Sequence, residues 1–93
     1  MVVPSGKQPE PGPFARAVSE EIRVSMARQR LSGAQLAVRA GLSQSYLSKR
    51  LRDEVAFTAN DVETLCEVLG EDLMTLLSSA VRAARPPGSG RRR

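Results

Sequence analysis

The chain has 93 residues, 41% of them apolar and 26% charged, with two Phe, one Tyr and no Trp, which suits one small domain with an aliphatic core and leaves no room for a second, catalytic one. Histidine is absent and Cys66 is the sole cysteine. Most metal sites, the Ser-His and Cys-His nucleophile systems and an intramolecular disulfide are thereby excluded, so no catalytic residue, metal ligand or cofactor is expected. The net charge is +4, but it is unevenly spread. Residues 22–52 hold seven basic side chains (Arg23, Arg28, Arg30, Arg39, Lys49, Arg50 and Arg52) and no acid, whereas residues 53–81 hold seven acids and no base. Arg82, Arg85 and Arg91 to Arg93 follow at the end. Such segregation points to an anionic partner for one face, nucleic acid first, with the acidic block turned away from it.

Residues 1–13 contain Pro4, Pro9, Pro11 and Pro13 and read as a flexible arm; residues 86–93, Pro-Pro-Gly-Ser-Gly-Arg-Arg-Arg, read as a flexible basic tail. Residues 14–85 between them form the domain and read as all helical, since apolar residues recur at three and four and no alternating run of strand length occurs. The first helix starts near Pro13, runs to about Gln29 and carries the stripe Phe14, Val18, Ile22, Met26. Ser32-Gly33-Ala34-Gln35 has the form of a capping box and opens a short second helix ended by Gly41. Ser43 caps a third helix from Gln44 to about Arg52, with only Leu47 and Leu51, and Tyr46 beside them, as a buried edge. Thr58-Ala59-Asn60-Asp61 caps a fourth, in which Val62, Leu65, Cys66 and Leu69 form one stripe up to Gly70. A fifth runs from about Glu71 to Ala84 through Leu73, Leu76, Leu77, Ala80 and Val81, and Pro86 stops it. No stretch reaches the roughly 20 apolar residues that cross a bilayer, and the N-terminus lacks the charged start and apolar run of a secretory signal. A cytoplasmic protein without a membrane partner is expected.

The stretch from Gly33 to Arg52 places the small Ala37 four residues before Gly41, with Leu36, Ala40, Leu42 and Leu47 around it. Two short helices that cross steeply need a small residue at the contact and a glycine in the turn. On Gln35-Leu36-Ala37, Ala40-Gly41-Leu42-Ser43, Ser45-Tyr46-Leu47-Ser48-Lys49 and Val62-x-x-Leu65-x-x-Val68-Leu69-Gly70, the sequence resembles the helix-turn-helix domains of the lambda-type repressor and Cro (XRE-like) family, over roughly Val18 to Leu77. It departs from that pattern at Arg50, where the family often has an apolar residue, and at Asp53, where it has a glycine; Leu51 is then expected to take over the core role.

The resemblance implies a compact five-helix DNA-binding domain, a double-stranded DNA operator as partner, and repression of transcription in the manner of phage or prophage immunity repressors in a bacterial cytoplasm. Carried over to this sequence, it makes Gln44, Ser45, Ser48, Lys49 and Arg52 the base readers and Arg39, Ser43 and Arg50 the phosphate contacts. The chemistry suits these roles, because Gln pairs with adenine N6/N7 and Lys donates to guanine O6/N7. Without DNA, Gln44, Ser45 and Ser48 would be a solvated helix start, and Lys49, Arg50 and Arg52 a surface run paired with Asp53 and Glu54. Tyr46 is expected to pack on the first helix and Cys66 to be a buried small hydrophobe. Helix 71–84 either covers the core or pairs with a second copy, and no small-molecule ligand is expected. The alternative class is a protein-interaction module, antitoxin-like or an adaptor, that uses its acidic helices or its fifth helix.

Overall fold

Short polar side chains decide where the helices begin. The computed structural model describes residues 9–85 as α1 (Pro13–Gln29), α2 (Gly33–Ala40), α3 (Gln44–Leu51), α4 (Ala59–Leu69) and α5 (Leu73–Ala84), with no strand among the described residues. The expected basic tail, and the expected arm up to residue 8, lie outside them. Proline at the first helical position suits α1, where its missing N–H would have no helical partner. Ser32 and Gln35 close the expected capping box on α2, with Gln35 N donating to Ser32 Oγ (3.1 Å) and Ser32 N to Gln35 Oε1 (2.9 Å). Ser43 Oγ accepts from Tyr46 N (3.0 Å) at the start of α3. Thr58 and Asp61 repeat the reciprocal box on α4. Each of these bonds satisfies an N–H that the first helical turn would otherwise leave unpaired.

The fifth helix begins two residues later than its acids suggested. Glu71 N donates to the Cys66 carbonyl (2.9 Å), so Glu71 closes α4, and Asp72 becomes the cap of α5 by accepting from the backbone N and hydroxyl of Thr75.

One device ends the first four helices. A residue in the left-handed region reverses the chain and the next amide reaches back five residues: Leu31 to Met26, Leu42 to Ala37, Glu54 to Lys49 and Glu71 to Cys66, each at 2.9 Å. Gly41 (φ 71°) and Gly70 (φ 70°) are the expected residues for that geometry. Arg30 (φ 55°) and Asp53 (φ 62°) occupy it with a side chain. The departure at Asp53 is thus a change of residue at an unchanged backbone position, and aspartate tolerates the left-handed region better than most.

The core gathers Val18, Ile22, Met26, Leu31, Leu36, Ala37, Leu47, Val62, Leu65, Cys66, Leu69, Leu76 and Ala80, with Leu51 partly buried against it. Helix α1 lies mainly along α5, and α2 crosses α3 and also meets α4. Ala37 is buried as the close α2 crossing requires. The apolar stripes break at their ends: Phe14 is 44% exposed and Val81 47%, so the first turn of α1 and the last of α5 extend past the core they were expected to cover.

The two non-glycine turns should respond oppositely to glycine. A side chain in the left-handed region costs about 1 kcal/mol, so Arg30→Gly, at an exposed site, is expected to raise the unfolding free energy by about that amount in urea titrations. Asp53→Gly should lower it, because the carboxylate of Asp53 holds Ser19 and Arg23.

Candidate nucleic-acid interface

At 3.6 residues per turn, side chains four apart share a row on a helix, and the eight residues of α3 with its cap Arg52 sort into four such rows. Leu47 and Leu51 face the core. Tyr46 and Arg50 face α4, where Asp61 meets both. Gln44, Ser48 and Arg52 line a cleft of about 320 Å³ whose other wall is Ser32, Gly33 and Ala34 at the start of α2. Ser45 and Lys49 are exposed on the remaining side. The five expected base readers therefore occupy two adjacent rows that the interior does not use, next to the exposed N-terminus of α2. Arg39 is exposed in the last turn of α2. Ser43 is exposed at the start of α3; its oxygen is engaged by Tyr46 N, and a hydroxyl that accepts one bond retains a proton to donate.

Arg50, an expected phosphate contact, is largely enclosed by the domain. Its side chain is only 12% exposed and its guanidinium lies over the Tyr46 ring, 3.6 Å from the centroid. Nη1 donates to the Tyr46 carbonyl (3.1 Å), and Nε lies 3.8 Å from Asp61 Oδ2, buried and without a hydrogen bond among the described residues. A guanidinium held over a ring and facing a carboxylate is engaged within the protein through its Nε side and Nη1. Tyr46, for its part, is joined to α4: its hydroxyl donates to Asp61 Oδ2 at 2.8 Å. The same carboxylate oxygen also accepts from Thr58 N (3.1 Å). Asp61 thereby caps α4 and holds the middle of α3 at once.

The far end of α3 is tied to α1. Arg23 Nη1 donates to the Leu51 carbonyl (2.5 Å), one of the last carbonyls of α3, where a positive charge also meets the negative end of the helix dipole. Asp53, just past that end, accepts from Ser19 Oγ (2.5 Å) and lies 3.5 Å from Arg23 Nη1. Spacing within α3 gives no sign of Ser19, Arg23 or Asp61, which lie in other helices. The sequence signals that could have found the last clamp were a serine on the core side of α1 and an aspartate at a glycine position.

The acidic block is divided: Glu63, Glu67 and Glu71 line one surface pocket, while several of its members meet the basic block. Asp53, Glu54, Asp61 and Glu71 lie within 4 Å of Arg23, Arg52, Arg50 and Arg28 respectively, so four of its seven acids answer four bases of the preceding block. The separation in sequence becomes pairing in space, and the expectation that acids turn away from the basic face fails at Glu54, which sits beside Arg52. Lys49 and Arg39, exposed and outside these pairs, carry the positive charge of the candidate face.

Tyr46 is the sole tyrosine, so its phenolate absorbance reports this joint directly. Its bond to Asp61, then desolvation and the Asp61 charge, hold its pKa above 10.0. Because the folded state keeps this proton more tightly than the unfolded chain, the stabilisation is fully present below about pH 10 and is lost as pH rises through the folded value. The expected results are a Tyr titration midpoint above 10 in the native protein and, for Tyr46→Phe, a shallower alkaline loss of stability with about 1 kcal/mol less stability at neutral pH.

A family model described as a helix-turn-helix domain matches residues 17–76. No curated protein matches the chain. Among solved structures, two crystal structures of the clp gene regulator ClgR from Corynebacterium glutamicum are similar. One has a TM-score of 0.67 at 22% identity, covering 74% of this chain and 90% of that one; the other has 0.71 at 24%, covering 82% and 80%. A hypothetical transcription factor, NHTF, from Neisseria has a TM-score of 0.63 at 23% identity, covering 82% and 84%. At these identities the likeness is one of fold. The family match runs from the first turns of α1 into α5 and contains the α2-turn-α3 crossing with all its anchors; the chain belongs to the helix-turn-helix domain family, the class of domain by which transcription regulators bind DNA.

Proposed function

We propose that the chain is a sequence-specific repressor of transcription, of the phage immunity-repressor or Cro-like type, that acts in the bacterial cytoplasm by occupying operator DNA with α3 in the major groove. The observation that carries this reading is the division of α3: two rows are locked to the core, α1 and α4, while Gln44, Ser45, Ser48, Lys49 and Arg52 face outward together. In this reading those five meet base edges, and Arg39 and Ser43, with the first amides of α2 and α3, meet phosphates. Arg50 serves by fixing Tyr46 and Asp61 in place, as its burial favours.

A selected duplex and its scrambled counterpart test the assignment. Gln44→Ala or Lys49→Ala should cost about 1 to 3 kcal/mol on the selected duplex and relax base preference, whereas Arg39→Ala should weaken both duplexes evenly. Equal losses on both duplexes for Lys49→Ala would remove it from the base readers. A reporter whose promoter overlaps the selected site should fall in output when the protein is present; a rise would refute repression.

A second copy is the proposed partner of α5. An apolar groove of about 370 Å³ lies between Phe14, Phe57, Val62, Leu73 and Leu77, and Met74 and Val81 are exposed nearby on α5. Sedimentation across micromolar concentrations should show a dimer that Val81→Arg weakens; a monomer throughout would rule the pairing out. The same groove is what favours the alternative reading as an adaptor or antitoxin-like module. Affinity that fails to fall with salt, where DNA binding falls by a slope of about −0.9 per phosphate neutralised, would favour that alternative.

A further inference from the structure

We propose that Glu54 is a specificity-determining residue of the DNA interface, acting as a positioning residue that fixes how the Arg52 guanidinium meets a base pair. The inference rests on the reading of α3 as the recognition helix and adds a residue that this reading does not include. Glu54 is out of place on a surface meant for DNA, since a carboxylate there repels phosphates. Its placement is nevertheless tightly fixed. Glu54 N donates to the Lys49 carbonyl (2.9 Å), and the preceding Asp53 is held in the left-handed region and bonded to Ser19 of α1, so the Glu54 backbone is pinned to α3 and to the body of the domain.

From that position Glu54 Oε2 accepts from Arg52 Nε at 2.8 Å, while Arg52 Nη1 donates to Ser48 Oγ. Two partners on two nitrogens of a planar group set its plane. They leave Nη2 and the second proton of Nη1 for an incoming acceptor, the pair of donors that guanine O6 and N7 accept bidentately. Arg52 and Glu54 are 57% and 48% exposed, so the pair adds little to stability and its geometry is open to a ligand. An untethered arginine at the end of α3 could instead swing to any nearby phosphate, a contact that carries no sequence information. Glu54 holds Arg52 off the phosphates in two ways: it neutralises its charge, and it directs its remaining donors. Both lower affinity for random DNA more than for the correct site.

The test measures affinities of the full chain for its selected duplex and for a scrambled one at fixed salt. Glu54→Ala should raise affinity for the scrambled duplex and lower the ratio of specific to non-specific binding by about tenfold, the lower part of the range for one mispaired base contact. Glu54→Gln, which keeps an acceptor oxygen but no charge, should retain part of the ratio. In an Arg52→Ala background, Glu54→Ala should leave the ratio unchanged, because Glu54 acts through that guanidinium. Melting temperatures of the Glu54 variants should match the parent, a result that a purely structural role would not give together with lost specificity. Equal gains on both duplexes, or the same change of ratio with and without Arg52, would overturn the proposal and reduce Glu54 to a surface charge. Failure of the parent chain to select any duplex would instead overturn the recognition-helix reading itself. Selection by the parent with an unaltered ratio in Glu54→Ala would overturn the role of Glu54 alone.

Discussion

An eight-residue helix with a single fully buried side chain does not persist in water by itself, because its few hydrogen bonds do not offset the entropy of forming the first turn. Everything at the candidate interface depends on how α3 is nonetheless held. Leu47 supplies the apolar contact, Asp61 of α4 grips its middle through Tyr46 and Arg50, and Ser19 and Arg23 of α1 grip its end through Asp53 and the Leu51 carbonyl. The anchors come from two helices on different sides, so α3 is restrained against both tilt and rotation. Such polar anchoring adds direction where hydrophobic contact alone would give only proximity.

Polar anchoring also explains the balance of charges. Arginines that would have made a broad positive field are drawn into pairs with the acids that follow them in sequence. What remains of the basic block is Arg30, Arg39 and Lys49 on the exposed surface, with Arg52 half committed to Glu54. The positive net charge is therefore not spread evenly over the domain, since four of these arginines are each met by an acid.

The helices were legible because their signals are local. A cap such as Ser32 and its partner Gln35 lie three residues apart, and Gly41 and Gly70 announce their left-handed turns by being glycine. Arg30 and Asp53 adopt the same turn without that mark, and α5 starts later than its acids suggest because the amide of Glu71 is used by α4. Within α3, the buried edge of Leu47 and Leu51 followed from spacing, and the five candidate readers from the family resemblance. Its anchors did not. Ser19 and Asp53 are 34 residues apart and Tyr46 and Asp61 fifteen, and the one linear hint that Arg50 stacks inward was that the family often has an apolar residue at its position.

The row structure of α3 has a consequence for how such a protein can change. Residues 46, 47, 50 and 51 are bound to the rest of the molecule, whereas 44, 45, 48, 49 and 52 touch it lightly. Substitutions in the second set alter the chemistry offered outward without reopening the problem of folding, so this surface can vary while the scaffold stays still. The first set has no such liberty, since Asp61 is shared between the start of one helix and the aim of another, and any exchange there is felt in both.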